Sequence, residues 1–245
     1  MVVSREYVDV PVGERRMRTF VAAPLSDDGP HPGVVFYTDI FQLTESSLRW
    51  AVRLAGHGFV VAAPEIYHRI EAPGTVLGFD DEGKRRGQAD AEATTVADFD
   101  ADIRAALDHL EGDPRVGAIG AAGHCTGGHL AFRAAFDPRM RATACWYPTG
   151  LHDGALGADA DAGSLARAAE IEGELLLIWG TLDPHTPQPG RELVRAALAQ
   201  AGTRLEWIEY EAEHAFGRDI GPRYDPEATD SAFAATVAAF RAGLA

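Results

Sequence analysis

Two cysteines in 245 residues, Cys125 and Cys145, are too few for a disulfide framework, and each sits in an apolar-flanked segment. A reducing compartment fits, and whichever cysteine is functional acts as a thiol. Long apolar runs are also missing: nothing approaches the roughly 20 residues that span a bilayer. The opening "MVVSREYVDV" lacks the basic-then-apolar order of a secretory signal. A cytoplasmic protein with no membrane partner is expected. Basic residues are scarce, with 22 Lys and Arg against 37 Asp and Glu for a formal charge of -15, so the chain repels nucleic acid and anionic surfaces. Internal repeats, low-complexity tracts and Gly/Ser linkers are absent, so residues 1–245 read as one α/β domain, a monomer or small homo-oligomer.

What the chain does have is alternation of short apolar runs with amphipathic ones, the mark of βαβ units. "REYVDVPV" and "RMRTFVAAP" flank Gly13 as an antiparallel hairpin at a sheet edge, and "GVVFYT" is the first central strand. "SSLRWAVRLAGHG" follows as a helix with Leu48, Val52 and Leu54 on its apolar side and Gly58 to end it. "FVVAAPEIY" is the next strand. From Ala93 to Glu111, Val96, Phe99, Ile103, Leu107 and Leu110 form one helical face. "RVGAIGAAGHC", "ATACWYP", "ELLLIWGTLDP" and "RLEWIEYE" are further strands; "TGGHLAFRAAF", "GRELVRAALAQAG" and Ser231 to Leu244 are helices. The expected architecture is a mostly parallel sheet with helices on both faces. Glu71 to Asp90 breaks the rhythm: it is polar, glycine-containing and carries Lys84, Arg85 and Arg86 together, which suggests an excursion over the substrate side.

"GHCTGG" (residues 123 to 128) places Cys125 between Gly123 and Gly127 at a strand-to-helix turn. A nucleophile elbow needs glycines there to relieve crowding, and the helix N-terminus favours a thiolate. A tight turn beside an ordinary buried thiol has the same sequence. The elbow reading gains from Asp183, after one later strand, and His214, after the next, because an elbow nucleophile on such a sheet expects the chain order nucleophile, acid, histidine. His214 would take the Cys125 proton and Asp183 would orient the imidazole.

These segments resemble the dienelactone hydrolase family of the α/β-hydrolase superfamily, whose elbow is G-x-C-x-G-G. "TDIFQLTESS", "PEIYHR", "APGT", "GHCTGGHLAF" and "EAEHAFGR" carry the likeness along nearly the whole chain. The resemblance implies a cysteine hydrolase of a lactone or ester, with Cys125 as nucleophile, His214 as base, Asp183 as orienting acid and no cofactor. It implies an oxyanion hole from the backbone N–H groups of Thr126 and Ile40. It also implies that Arg86 and Arg218 bind a substrate carboxylate, a role their planar forks suit. Asp39 stands where the family commonly has Glu, and Asp90 where it has a pocket tyrosine; both would alter the substrate's surroundings. Tyr147 and Phe216 are core-type aromatics placed where they could line the pocket.

Two other sites are weighed against this. His124, Cys125 and His129 could suggest a metal, but His124 precedes the turn and no further Cys or His completes a tetrahedral set. "GAIGAAG" lacks the downstream context of a dinucleotide fingerprint. On the same fold, a non-catalytic carboxylate-binding protein or a redox-responsive one built on Cys125 oxidation are the alternatives to hydrolysis.

Overall fold

The computed structural model describes residues 1–26 and 29–245. Eight strands run β1 (Val3–Val12), β2 (Arg15–Pro24), β3 (His31–Tyr37), β4 (Val60–Pro64), β5 (Val116–His124), β6 (Met140–Trp146), β7 (Glu174–Gly180) and β8 (Leu205–Tyr210). They form one sheet in the order β1-β2-β4-β3-β5-β6-β7-β8. β1 and β2 pair antiparallel, β2 joins β4 antiparallel, and every pairing from β4 to β8 is parallel. The edge hairpin and the parallel sheet of an α/β-hydrolase fold are therefore both present.

The helices are α1 (Glu45–Ala55), α2 (Asp81–Glu92), α3 (Val96–Glu111), α4 (Thr126–Ala134), α5 (Gln188–Ala201) and α6 (Pro226–Gly243). Strand alternation divides the interior in two. Val35, Tyr37, Cys145 and Leu177 face one side with Phe99, Leu107 and Leu130 of α3 and α4. Val34, Phe36, Trp146 and Ile178 face the other with Trp50 of α1 and Phe233 and Phe240 of α6. Each fully buried apolar side chain of this size contributes about 1.5–3 kcal/mol relative to exposure.

Four sequence expectations need adjustment. In α1 the deepest positions are Trp50, Ala51 and Leu54, whereas Leu48 and Val52 are only half-buried. The helix expected from Ala93 starts at Val96, because Thr95 and Asp98 form a reciprocal capping box; such a cap is worth about 1 kcal/mol. α6 begins at Pro226, five residues before Ser231, with the Asp225 side chain accepting from the Ala228 N–H. The largest change is α2 itself, within the stretch read as an irregular excursion. Its buried positions are Gly83, Gly87 and Asp90, so no apolar stripe announces it. No helix among the described residues is long and apolar enough to cross a membrane.

Candidate active site

Parallel strands deliver side chains to their C-terminal ends, and the loops after β3, β5, β7 and β8 meet there. The turn after β5 is the sharpest. Cys125 has φ 57° and ψ -121°, a conformation that non-glycine residues rarely adopt. A Cβ on Gly123 would lie 1.9 Å from the Gly127 carbonyl oxygen, and one on Gly127 would lie 2.1 Å from that of Tyr37. Both positions thus require glycine so that β5 can turn into α4. Gln42, Tyr147 and Ala215 are the other non-glycine residues at positive φ among the described residues, and they follow β3, β6 and β8. Backbone strain is concentrated around one end of the sheet, as it often is at reactive centres.

His214 accompanies Cys125 there. Its Nδ1 is 2.6 Å from Asp183 Oδ2, both side chains are buried, and Asp183 Oδ1 accepts from the His185 N–H at 2.8 Å. Burial pulls against charge on His214, but the Cys125 thiolate and Asp183 prevail and raise its pKa to about 10. Burial likewise pushes the Cys125 thiol up, yet the neighbouring His214 imidazolium brings it below its ordinary value. Charge on either group favours charge on the other, so the two titrate as a pair rather than as separate groups. Asp183 is opposed by burial as well, and its hydrogen bond and charge contact with His214 hold it below the usual carboxylate range. Cys145 contrasts with Cys125: it is fully enclosed with no charged partner, and burial pushes its thiol well up.

A cavity of about 380 Å³ opens onto this pair. Ile40, Cys125, Thr126 and His214 lie on its wall. Thr126 opens α4, where backbone N–H groups have no intrahelical acceptor. α2 packs directly on the loop of Ile40, since a Cβ on Gly87 would be 2.4 Å from the Ile40 carbonyl oxygen. A second groove of about 570 Å³ lies beside α1 and Asp219, and contains none of Cys125, Asp183 or His214.

The remaining expected residues separate. Arg218 lines the cavity, but its Nε and Nη2 donate to Asp39 Oδ2 at 3.1 and 2.5 Å, and its guanidinium lies against the rings of Phe41 and Phe79, which pack edge-on on each other. Asp39 is buried behind it and is not on the wall. Tyr147 and Phe216 also leave the wall. They are fully buried and pack on each other, and Tyr147 meets the His214 ring edge-on at 5.3 Å. Arg86 turns away from the cavity; its side chain is half-exposed and ion-paired with Glu71. Asp90 lies buried beside the same Glu71, and is likewise off the cavity wall.

Burial first, and then the charge of Glu71, raise the Asp90 pKa from 3.8 to about 6. The folded protein therefore keeps a proton that the unfolded chain loses near pH 4, and stability from this group declines as pH rises through about 6. Asp90→Asn is expected to raise the thermal midpoint at pH 7.5 and leave it nearly unchanged at pH 4. An equal shift at both pH values in calorimetry would refute this account.

His124 and His129 do not join Cys125 in a metal site. The His124 ring lies 5.0–5.5 Å from those of Phe36, Trp50, Trp146 and Tyr147, and burial drives its pKa to about 3. His129 Nδ1 is 2.9 Å from the Thr149 carbonyl oxygen and its Nε2 2.7 Å from Ser164 Oγ. No group of three His, Cys, Asp or Glu among the described residues is arranged to hold a metal ion.

Sequence reasoning missed Lys84, Gln88, Thr149, His185 and Arg223 as wall residues. His185 had a legible signal, two residues after Asp183. Its ring packs on His214 with centroids 4.6 Å apart.

The dienelactone hydrolase family model matches residues 17–244. A Saccharomyces cerevisiae protein provisionally named carboxymethylenebutenolidase is 34% identical over 243 residues, covering 94% of this chain and 89% of that protein. A Pseudomonas carboxymethylenebutenolidase is 28% identical over 212 residues, covering 85% and 84%. Among solved structures, a provisionally named dienelactone hydrolase from Klebsiella pneumoniae superposes with a TM-score of 0.81 at 26% identity, covering 98% of this chain and 99% of that one.

Proposed function

The chain belongs to the dienelactone hydrolase family and is a carboxylic ester hydrolase, and we propose that it opens a lactone or cleaves an ester with Cys125, His214 and Asp183 as its catalytic triad. The observation that carries this reading is the buried His214–Asp183 hydrogen bond beside a thiol whose pKa His214 lowers, at the floor of a ligand-sized cavity. The Cys125 thiolate attacks the substrate carbonyl carbon. Charge then moves onto the carbonyl oxygen, where the N–H groups of Thr126 and Ile40 would receive it. Removing one such donor typically costs about 3–4 kcal/mol of transition-state stabilisation.

Collapse of the tetrahedral adduct breaks the C–O bond, and the His214 imidazolium gives its proton to the departing alkoxide. An acyl-thioester remains on Cys125 with His214 now neutral. Water then attacks the thioester as His214 removes its proton, and expulsion of the thiolate restores the ion pair. Asp183 holds the tautomer and orientation of the imidazole through both halves. Arg218, paired with Asp39 and resting against the rings of Phe41 and Phe79, organises the loop that carries Ile40.

A hydrolysis screen of small lactones and activated esters, each with and without a carboxylate, tests the reading directly. Turnover is expected with a burst of product equal to the enzyme concentration when deacylation is slow. A protein that turns over none of these, yet is folded by circular dichroism, would return the site to ligand binding alone.

A further inference from the structure

Asp183 reaches His214 from a tight turn, and the same turn delivers a second imidazole. Two residues after Asp183, the His185 N–H donates to Asp183 Oδ1 at 2.8 Å, while Asp183 Oδ2 is 2.6 Å from His214 Nδ1. The His185 side chain then lies on the cavity wall, with its ring 4.6 Å from that of His214 at an interplanar angle of 65°. The loop after β7 therefore meets the His214 ring twice, through a carboxylate at Nδ1 and through a second ring. Tyr147 touches the same ring from within the core, at 5.3 Å. His185 differs from Tyr147 in two respects: it is exposed, and its side chain is of the type that changes charge near neutral pH.

The capacity to take a proton separates His185 from an inert spacer. Burial first and then the charge of His214 lower its pKa, Asp183 opposes them, and Arg223 and Lys84 lower it further, so the ring is neutral at pH 7. These groups belong to every segment around it: the loops after β7 and β8, the segment following His214, and α2. Glu92 and Arg218 share the cavity wall with it. Coupling between two titrating groups is reciprocal. If charge on His214 disfavours a proton on His185, a proton on His185 disfavours the charge on His214 to the same extent. That charge is what brings the Cys125 thiol below its ordinary value. A neutral ring at 185 thus gives the imidazolium a polarizable neighbour, whereas a protonated one sets a like charge against it.

We propose that His185 is a positioning residue for the triad histidine: its neutral ring steadies the His214 imidazolium towards Cys125, and its protonated ring weakens that pairing and adds a second proton to the acid limb of hydrolysis. This assignment rests on the hydrolase reading above. The contact with Asp183 is made by the backbone of residue 185, so side-chain variants there keep that donor and report on the ring alone.

The test uses the full-length protein and one activated, uncharged ester, so that charge on the cavity wall does not act on the substrate. His185→Ala is expected to lower kcat about tenfold with KM changed less than about twofold, the pattern of a catalytic group left misoriented. His185→Phe, which keeps a ring and cannot titrate, should bring kcat back to within about threefold of wild type. On acidification the wild-type kcat/KM should fall more steeply than that of His185→Phe, and by pH 4 about tenfold further from its value at pH 8, the effect of one pKa unit of interaction. Iodoacetamide labelling of Cys125 should show the same excess fall without requiring turnover, with circular dichroism checking the fold at each pH. Acid limbs that superimpose in wild type and His185→Phe, or a His185→Ala kcat within about twofold of wild type, would overturn the proposal. If no ester is turned over while the labelling difference persists, the hydrolase reading fails and the placement of His185 against the imidazolium stands.

Discussion

Cys125→Ala is expected to lower kcat/KM for a small activated ester by at least about 10⁴-fold, since removal of the nucleophile in a comparable triad abolishes nearly all covalent catalysis. The fold should survive. The side chain is small, it makes no cap hydrogen bond at the start of α4, and alanine removes one sulfur from a wall that is already open to the cavity. Far-UV circular dichroism and the thermal midpoint of wild type and variant should therefore agree closely. Active-site titration with a slow ester should label wild type once per chain and the variant not at all. Equal turnover by both proteins would remove Cys125 from the mechanism, and Cys145, sealed in the opposite core with its thiol pushed up, could not replace it.

His214→Ala carries the second large effect, on two quantities that respond differently. In wild type the imidazolium lowers the thiol pKa below 9.0 in spite of burial. Thiolate should consequently persist as pH falls from 9 towards neutrality, and alkylation by iodoacetamide should decline only when pH drops through the lowered thiol value. Without His214, burial and Asp39 act on the thiol with only Arg218 opposing them, so its pKa should rise above the ordinary value. Alkylation at pH 7 should slow by an order of magnitude or more, and hydrolysis by about 10³-fold or more because the proton donor and acceptor is lost too. The wild-type rate should also fall above pH 10, where His214 gives up the proton needed by the leaving group. A variant thiol that alkylates at pH 7 as fast as wild type would show that His214 does not hold the ion pair.

The alternation of strands and helices was legible because each strand is a short apolar run and each major helix has an apolar stripe, as in Phe99, Ile103, Leu107 and Leu110. The elbow was legible for a different reason. Its glycines answer to backbone contacts near 2 Å, a requirement no other residue meets, and so it leaves a fixed pattern around Cys125. α2 left no such pattern. It lies on the Ile40 loop through Gly87 and buries Asp90 against Glu71, and neither a glycine nor an acid signals a buried helical face. Asp102 escaped notice in the same way: it sits on the core side of α3, where His68 and Arg69 engage it.

Residue order along the chain was enough to specify the α/β class, the edge hairpin and the succession of Cys125, Asp183 and His214 at strand ends, because those depend on local periodicity and on steric needs within a few residues. Which basic residue looks into the cavity was beyond it. Lys84, Arg85 and Arg86 are equivalent as a run, yet they point in three directions about 100° apart on a helix. The rotation of that helix is set by the contact of Gly87 with a loop 47 positions earlier in the chain. The ionisation of Cys125 was equally out of reach, since it is the balance of burial against an imidazolium brought from 89 residues away.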